Sequence, residues 1–276
     1  MKLGSREYKV MLDHEPFVDR PAALGALRED IKVVAAAVGG MSTTGGFDEE
    51  RRRTVVFLDT PEHDLRRGGF VLRSRMAGEK AEYTLKCRSE DRYFAAGADL
   101  RTVKGFKPDE KLEEDIAPPF HCRYSHSNTV RPPKKGGLRR GEPPRTLGEA
   151  AAFFPVLGAV HDERGIPMEA PLGVVNGITA FERVYTGTSL GFDGSGPDGD
   201  DGEGAASVAL ILWTDGEAGR PLVAEFSFRL EDKKERFPRR LSRSARSFFE
   251  GVQGLEQARR DGTTKTSFLY RDHEGD

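Results

Sequence analysis

The chain reads Val71-Leu72-Arg73-Ser74-Arg75 and then, after a short link, Tyr83-Thr84-Leu85-Lys86-Cys87-Arg88, and both runs alternate as β-strands do. The alternation places Arg73 with Arg75 on one face of the first strand, and Lys86 with Arg88 on one face of the second. The link around Gly78 predicts that the two strands form a hairpin. On an open sheet this basic face would simply meet water. If other strands add both cations and carboxylates on the same side, the better interpretation is a charged cavity that binds a polyanion.

Composition limits the kinds of function that this chain can have. It has 276 residues, of which 37% are hydrophobic and 32% charged, so it can form a sizeable core that is lean in apolar side chains. The formal net charge is −2, so a site for anions has to be local rather than a property of the whole molecule. No apolar run approaches the roughly 20 residues that span a bilayer, the N-terminus lacks a signal-peptide pattern, and the two cysteines form no metal motif or disulfide framework. A cytoplasmic protein without a membrane partner is therefore expected.

The remaining elements predict an α+β protein with a single domain over residues 1–276. Short connections between the strands favour antiparallel pairing, and the chain shows neither a βαβ rhythm nor a glycine-rich phosphate loop. We therefore expect a closed eight-stranded antiparallel β-barrel with helices packed outside. The other predicted strands cover residues 5–12, 51–60, 111–116, 177–186, 207–215 and 221–231, and the longer predicted helices cover residues 21–38, 146–160 and 238–260.

Two segments are predicted to lie outside these elements. Residues 118–145 are rich in Pro, Gly and basic side chains and are interpreted as an irregular insert, which could be a solvated loop or an anion-binding arm. Residues 187–206 are interpreted as a flexible hairpin tip. Within them, residues 193–206 have the composition of a calcium loop but lack its ligand spacing and its flanking helices.

Charged side chains sort onto one face of several predicted strands. The groups on these faces are Glu7 with Lys9, Lys111 with Glu113 and Asp115, and Glu225 with Ser227 and Arg229. An ordinary half-buried sheet gives the same alternation, but helices that cover the apolar side would turn the charges inward. Arginine forks suit phosphate oxygens, and neighbouring carboxylates suit a hard cation such as Mg²⁺ or Mn²⁺. The pattern therefore suggests a site for a metal and a triphosphate.

In order and spacing, these motifs resemble those of the CYTH, or triphosphate tunnel metalloenzyme, family. The resemblance runs through nearly the whole chain. It rests on Glu7-Tyr8-Lys9, Phe57-Leu58-Asp59-Thr60, Leu72-Arg73-Ser74-Arg75, Thr84-Leu85-Lys86, Lys111-Leu112-Glu113, Arg183-Val184-Tyr185, Leu222-Val223-Ala224-Glu225 and Thr264-Lys265.

The resemblance implies an antiparallel tunnel, a divalent metal (Mg²⁺ or Mn²⁺) and a small-molecule partner that carries a triphosphate or polyphosphate. Nucleic acid is expected as a partner only through an RNA 5′-triphosphate. The resemblance also implies that Glu7, Glu113 and Glu225 are catalytic, with Glu7 and Glu225 as the metal ligands. The phosphate-binding cations would be Lys9, Arg73, Arg75, Lys86, Arg88, Lys111, Arg183 and Lys265.

Two positions depart from the family pattern. Ser5 stands where the family has its first glutamate, and Ser227 stands where many members have a second carboxylate on the late strand. Both changes remove metal ligands or acids that orient a bound water. Metal-dependent hydrolysis of a triphosphate is the first expectation; a non-catalytic polyphosphate or nucleotide binder and an adenylate cyclase are the alternatives. The sequence indicates neither which triphosphate is bound nor the oligomeric state.

Overall fold

Strands form the centre of the molecule. The computed structural model describes residues 1–132, 142–192, 204–231, 234–261 and 263–270. The strands are β1 Ser5–Leu12, β2 Met41–Thr44, β3 Asp48–Asp59, β4 Phe70–Ala77, β5 Lys80–Ser89, β6 Asp109–Ala117, β7 His121–Val130, β8 Gly173–Val174, β9 Ala180–Thr186, β10 Ser189–Phe192, β11 Ala205–Thr214 and β12 Pro221–Glu231. The α-helices are α1 Arg20–Val38, α2 Asp64–Arg67, α3 Arg92–Gly97, α4 Leu147–Ala151, α5 Val156–Arg164, α6 Arg239–Gln253 and α7 Lys265–Leu269.

Nine of these strands close into a barrel. Their order is β12-β1-β6-β7-β5-β4-β3-β9-β11, and β11 pairs back onto β12. The barrel pairs are antiparallel, except that β1 and β6 run parallel. A closed ring with an odd number of strands cannot reverse direction at every step, so the parallel pair follows from the count. The strands β2, β8 and β10 pair outside this ring.

The closed barrel is confirmed, but the prediction of eight antiparallel strands is wrong by one strand. The ninth strand is β7, which lies inside the segment 118–145 that the sequence predicted to be irregular. Its inward face carries Ser125, Ser127 and Thr129, and its outward face carries His126 and Asn128. Apart from Cys122 and Val130 towards its ends, which pack in the outer apolar clusters, both faces are polar, so β7 lacks the apolar alternation by which a strand is recognised. Residues 133–141 of the predicted insert lie outside the described residues.

The predicted hairpin tip at 187–206 is shorter than expected. Residues 189–192 form β10, which pairs with the start of β11 so that Ser189 lies opposite Ser207. Residues 193–203, which include most of the segment with a calcium-loop composition, lie outside the described residues.

The helices α1 and α6 cover one side of the barrel. The side chain of Asp19 caps α1 by accepting a hydrogen bond of 3.3 Å from the backbone N–H of Ala22, and Gly39 ends the helix with a φ of 70°. α6 ends earlier than the predicted residue 260 and buries Leu241, Ala245, Phe248, Phe249 and Val252 against the outer faces of β1, β11 and β12. Within the described ranges, no helix is both long and apolar enough to cross a bilayer.

The helices α4 and α5 cover the opposite side. The sequence predicted a single helix over residues 146–160, and the structure has two because Pro155, which has no backbone N–H to donate, interrupts the run. Phe153 and Leu157 pack with Leu72 and Leu85 from the outward faces of β4 and β5. Since these apolar faces are buried outside the barrel, the charged faces point into its lumen.

Candidate functional site

A charged cavity fills the barrel. Its volume is about 760 Å³, and residues from all nine barrel strands line it. Among the residues that the structure describes, twelve lysines and arginines line the wall against eight aspartates and glutamates, so this lining is net positive although the chain as a whole carries −2. The cations are Lys9, Arg51, Arg53, Arg73, Arg75, Lys86, Arg88, Lys111, Arg123, Arg131, Arg229 and Lys265, and the carboxylates are Glu7, Glu50, Glu82, Glu90, Asp109, Glu113, Asp115 and Glu225.

Strand register explains why these charges meet. Glu7 on β1 lies opposite Arg229 on β12 and opposite Asp115 on β6. Arg73 on β4 lies opposite Thr84 on β5. Because directly paired residues are about 5 Å apart, side chains from several strands reach the same space.

The guanidinium groups of Arg73 and Arg75 form the least compensated part of the wall. Within the described residues, the buried Nε atoms of both side chains have no hydrogen-bond partner, and Arg73 makes no ion pair. Burial holds the pKa of Arg73 well below its ordinary value, and the charge of Arg75 lowers it further. A buried cation without a partner costs free energy, so this stretch of wall favours a bound anion.

Asp115 on β6 joins cations from two other strands, β1 and β5. It accepts hydrogen bonds from the Nζ atom of Lys9 at 2.7 Å, from Nη2 of Arg88 at 3.1 Å and from Oγ of Ser125 at 2.7 Å. The Nζ atom of Lys86 lies 3.8 Å away. Burial alone would raise the pKa of Asp115, but the lysines and Arg88 outweigh it and hold that pKa well below its ordinary value. Asp115 is therefore a fixed anion that aligns the cations around it.

A second fixed anion, Glu182, lies on β9 and is fully buried. It accepts hydrogen bonds from Nε of Arg53 and, at 2.9 Å, from Nε1 of Trp213. The Nε atom of Arg75 lies 3.7 Å from it, beyond hydrogen-bond reach. Glu182 therefore orients Arg53 and Trp213 but leaves Arg75 with free donor capacity.

Lys265 enters the cavity from the C-terminal segment. Thr264 caps α7, and the ammonium of Lys265 lies 2.7 Å from Oε1 of Glu225. This segment is held in place because Tyr270 donates a hydrogen bond of 3.2 Å to Asp59, and Asn176 donates one of 2.8 Å to the carbonyl of Leu269. The cation at position 265 is thus part of the wall and not of an exposed tail.

The structure brings together all but one of the residues that the sequence singled out. The residues that line the cavity are Glu7, Lys9, Arg73, Arg75, Lys86, Arg88, Lys111, Glu113, Glu225 and Lys265. Arg183 does not line it. Its side chain lies outside the barrel, where it donates a hydrogen bond of 2.8 Å to Glu49 and one of 2.7 Å to the carbonyl of Glu217. Strand alternation sends the neighbouring Glu182 inward instead.

The metal that the resemblance implies does not fit this set of carboxylates. Glu225 pairs with Met11 on β1, four positions from Glu7, which separates the two backbones by about 13 Å along the strand. Each of the two carboxylates is already held by a lysine, Glu7 by Lys9 at 3.0 Å and Glu225 by Lys265 at 2.7 Å. In the part of the chain that the structure describes, no three His, Cys, Asp or Glu side chains are placed to hold one ion.

The two serines at the departing positions explain part of this mismatch. Ser5 lies on the β1 face that carries Glu7 and donates a hydrogen bond of 3.3 Å to Glu113. Ser227 lies opposite Lys9. Both positions would bring a further carboxylate close to Glu7, and a hydroxyl is a weaker ligand for a hard cation.

Several charged residues at the cavity were not selected as site residues from the sequence. Alternation placed Asp115 on the charged face with Lys111 and Glu113, but the resemblance gave it no role. Arg53 ends the run Arg51-Arg52-Arg53 on β3, where a period of two singles out the first and third arginines. Glu182 lies behind the wall, against Arg53 and Trp213; its inward direction follows from alternation with the aromatic neighbours of Arg183, but its partners depend on the pairing of β9 with β3 and β11.

Comparisons with known proteins give distant matches only. No family model matches the sequence, and no curated protein matches it. Among solved structures, it is similar to HpAC1 from Hippeastrum, provisionally named an adenylyl cyclase and described as having a dominant triphosphatase activity (TM-score 0.43, 14% identity, 96% of this chain and 94% of that chain). It is also similar to two proteins provisionally named adenylate cyclases, from Bacillus halodurans (0.41, 14%, 97% and 98%) and Vibrio parahaemolyticus (0.32, 10%, 98% and 99%). At this distance the likeness bears on neither the activity nor the substrate of this chain.

Proposed function

We propose that this chain binds a linear polyphosphate, either inorganic tripolyphosphate or the triphosphate of an organic molecule, inside the barrel. The observation that carries the proposal is the pair Arg73 and Arg75, whose buried Nε atoms lack partners within the described residues. Lys86 and Arg88 continue this row on the neighbouring strand β5. Arginine presents a planar fork that matches phosphate oxygens, and a row of such cations matches several anionic groups in line.

Binding without metal-dependent turnover is the form of this function that the carboxylates favour. Glu7, Glu113 and Asp115 accept hydrogen bonds or ion pairs from lysine, arginine and serine. They therefore balance cations of the wall. Hydrolysis assisted by Mg²⁺ or Mn²⁺ is the second candidate, favoured by the fact that Glu7 and Asp115 are directly opposite one another on paired strands. No observation favours cyclisation of a nucleotide.

Calorimetric titration with tripolyphosphate, in a chelator and then in Mg²⁺, tests the proposal. We expect one tripolyphosphate to bind each chain in the chelator, with an affinity that falls as salt rises because the contacts are ionic. Absence of binding under both conditions would refute the proposal. Phosphate release from tripolyphosphate, measured in parallel with Mg²⁺ or Mn²⁺, separates the two candidate functions. If release requires the metal and the substitution Glu225→Gln abolishes it, the protein is a hydrolase and the proposal of binding without turnover is wrong.

Lys86 gives the proposed binding a pH dependence. Burial lowers the pKa of the Lys86 ammonium to about 8; Asp115 opposes this shift, and the charges of Arg88 and Lys9 reinforce it. A bound polyphosphate raises that pKa, since it favours the charged form. Below pH 8 the ammonium is already present and affinity does not depend on this group. Above pH 8 binding has to take up a proton, so we expect the affinity measured by calorimetry to fall by up to about tenfold per pH unit.

The substitution Lys86→Arg is the matched control for this prediction. An arginine stays protonated over the whole range, so the fall above pH 8 should disappear while binding persists. Ionisation of the ligand affects both proteins equally and cancels in the comparison. Identical pH profiles for the two proteins would show that Lys86 does not contact the anion.

A further inference from the structure

Four cations of the cavity, on the neighbouring strands β4 and β5, follow one another along the barrel. Arg75 lies opposite Glu82 near one end, and Arg73 opposite Thr84 further along. Lys86 and Arg88 continue the row on β5 towards the other end. From the level of Glu82 to that of Arg88 the strand advances by six residues, or about 20 Å. Three phosphoryl groups in line cover less than half of that length.

The row does not stop at Arg88. A second hollow of about 270 Å³ adjoins the cavity at this end and shares Arg88, Glu90, Arg123, Thr264 and Thr266 with it. We call this hollow the vestibule. It adds the side chain of Arg66, which lies over the ring of Tyr270 at 4.3 Å and is thereby fixed in place.

Charge in the vestibule is strongly one-sided. Of the residues in the described part of the chain, three arginines line it, Arg66, Arg88 and Arg123, against one carboxylate, Glu90. Arg123 lies 3.7 Å from Glu90, both side chains being more than half exposed, which is a weak interaction. The other described lining groups are threonines, serines, a glycine and two apolar residues, Val71 and the aromatic Phe70. Such a lining suits further phosphoryl groups better than an aromatic base, which would need flat faces for stacking.

We propose that the cavity and the vestibule together hold a polyphosphate chain longer than three phosphoryl groups. This inference rests on the proposed function and specifies its ligand. The chain lies along Arg75, Arg73, Lys86 and Arg88, and its end passes between Arg66 and Arg123. Each added phosphoryl group gains charge-assisted hydrogen bonds until the vestibule is filled.

Titration of the same protein with tripolyphosphate and with a polyphosphate of about ten phosphoryl groups tests this inference. We expect the longer chain to bind with one chain per protein and about tenfold more tightly. A long polyphosphate can also bind more tightly simply because it contains several overlapping sets of three phosphoryl groups, each able to occupy the cavity. The decisive measurement therefore compares variants of the vestibule. The substitution Arg66→Ala removes a side chain that lines the vestibule but not the cavity. It should remove most of the preference for the long chain and leave tripolyphosphate affinity within about twofold. The substitution Arg67→Ala, which alters the next residue of α2 and does not touch the vestibule, should change neither.

The outcomes separate the two proposals. If tripolyphosphate binds and the Arg66→Ala variant keeps the full preference for the long chain, the vestibule does not hold phosphate and this inference fails alone. If ATP binds more tightly than tripolyphosphate and the Arg66→Ala variant abolishes that gain, the vestibule holds an organic group, and the inference fails in favour of a nucleotide. If tripolyphosphate does not bind at all, the proposed function fails.

Discussion

Replacement of Arg73 by methionine is expected to lower the affinity for tripolyphosphate by about 100-fold, which corresponds to roughly 3 kcal/mol and to the upper range for hydrogen bonds of charged groups. The same substitution is expected to stabilise the ligand-free protein. Arg73 is held among Arg53, Arg75 and Arg88, whose charges all lower its pKa, and its Nε atom is buried without a partner within the described residues. An apolar side chain of similar length ends that uncompensated burial, so we expect a gain of about 1–3 kcal/mol in the free energy of unfolding, measured by urea titration.

A substitution that lowers the affinity for the ligand but raises the stability of the free protein identifies a binding residue, whereas loss of a structural residue lowers the stability. Arg101 provides the control, because its guanidinium is exposed and pairs with Asp99 away from the cavity. The substitution Arg101→Met should leave tripolyphosphate affinity unchanged and the free energy of unfolding within about 0.5 kcal/mol. If Arg73→Met destabilised the free protein while tripolyphosphate affinity stayed intact, Arg73 would be a buried structural cation and the anion site would have to lie elsewhere.

The local part of this site could be predicted because alternation within a strand is a property of the sequence. Arg73 and Arg75 on one strand and Lys86 and Arg88 on the next share faces whatever the rest of the chain does. The outward residues Leu72 and Leu85 are strongly apolar, so the direction in which the charges point follows as well. For the same reason the hairpin of β4 and β5 agrees with its prediction within three residues at each end.

The non-local part depends on register, which the sequence does not contain. Glu7 and Glu225 each lie on an inward face, as alternation predicts. Whether they meet depends on how β1 and β12 are aligned, and the observed alignment separates them by four positions. Lysines that come from other parts of the fold, such as Lys265 on the C-terminal segment, neutralise carboxylates that the resemblance implied to be metal ligands.

The outward position of Arg183 could have been predicted from its neighbours on the strand. Arg183 shares its strand face with Phe181 and Tyr185, and Tyr185 packs in the outer apolar core. A shift of one residue exchanges the two faces of a strand, so the aromatic neighbours assign Arg183 to the outside and Glu182 to the lumen. The strand β7 gave no comparable signal, because a strand that faces a charged lumen can be polar on both sides.

Loss of the Glu182 carboxylate is expected to have the largest effect on stability. The substitution Glu182→Gln keeps a side chain that can accept the hydrogen bond of Trp213 but removes the charge that Arg53 and Arg75 face. Breaking a buried pair in this way costs about 3–5 kcal/mol, which urea titration at neutral pH would measure. Burial alone would raise the pKa of Glu182, but Arg75, Arg53 and Lys265 hold it far below its ordinary value. The stabilising charge is therefore fully present above pH 4.5 and is lost as pH falls, so the two proteins should converge in acid.

The ligand should restore part of this loss if the proposed function is correct. Tripolyphosphate at Arg75 brings negative charge that replaces part of the charge lost in Glu182→Gln, so it should raise the unfolding midpoint of the variant more than that of the unchanged protein. Glu49→Gln is the matched control, because Glu49 pairs with Arg183 outside the barrel, and its ligand response should equal that of the unchanged protein. Equal responses in all three proteins would mean that the anion does not reach Arg75 and that the binding row begins at Arg73.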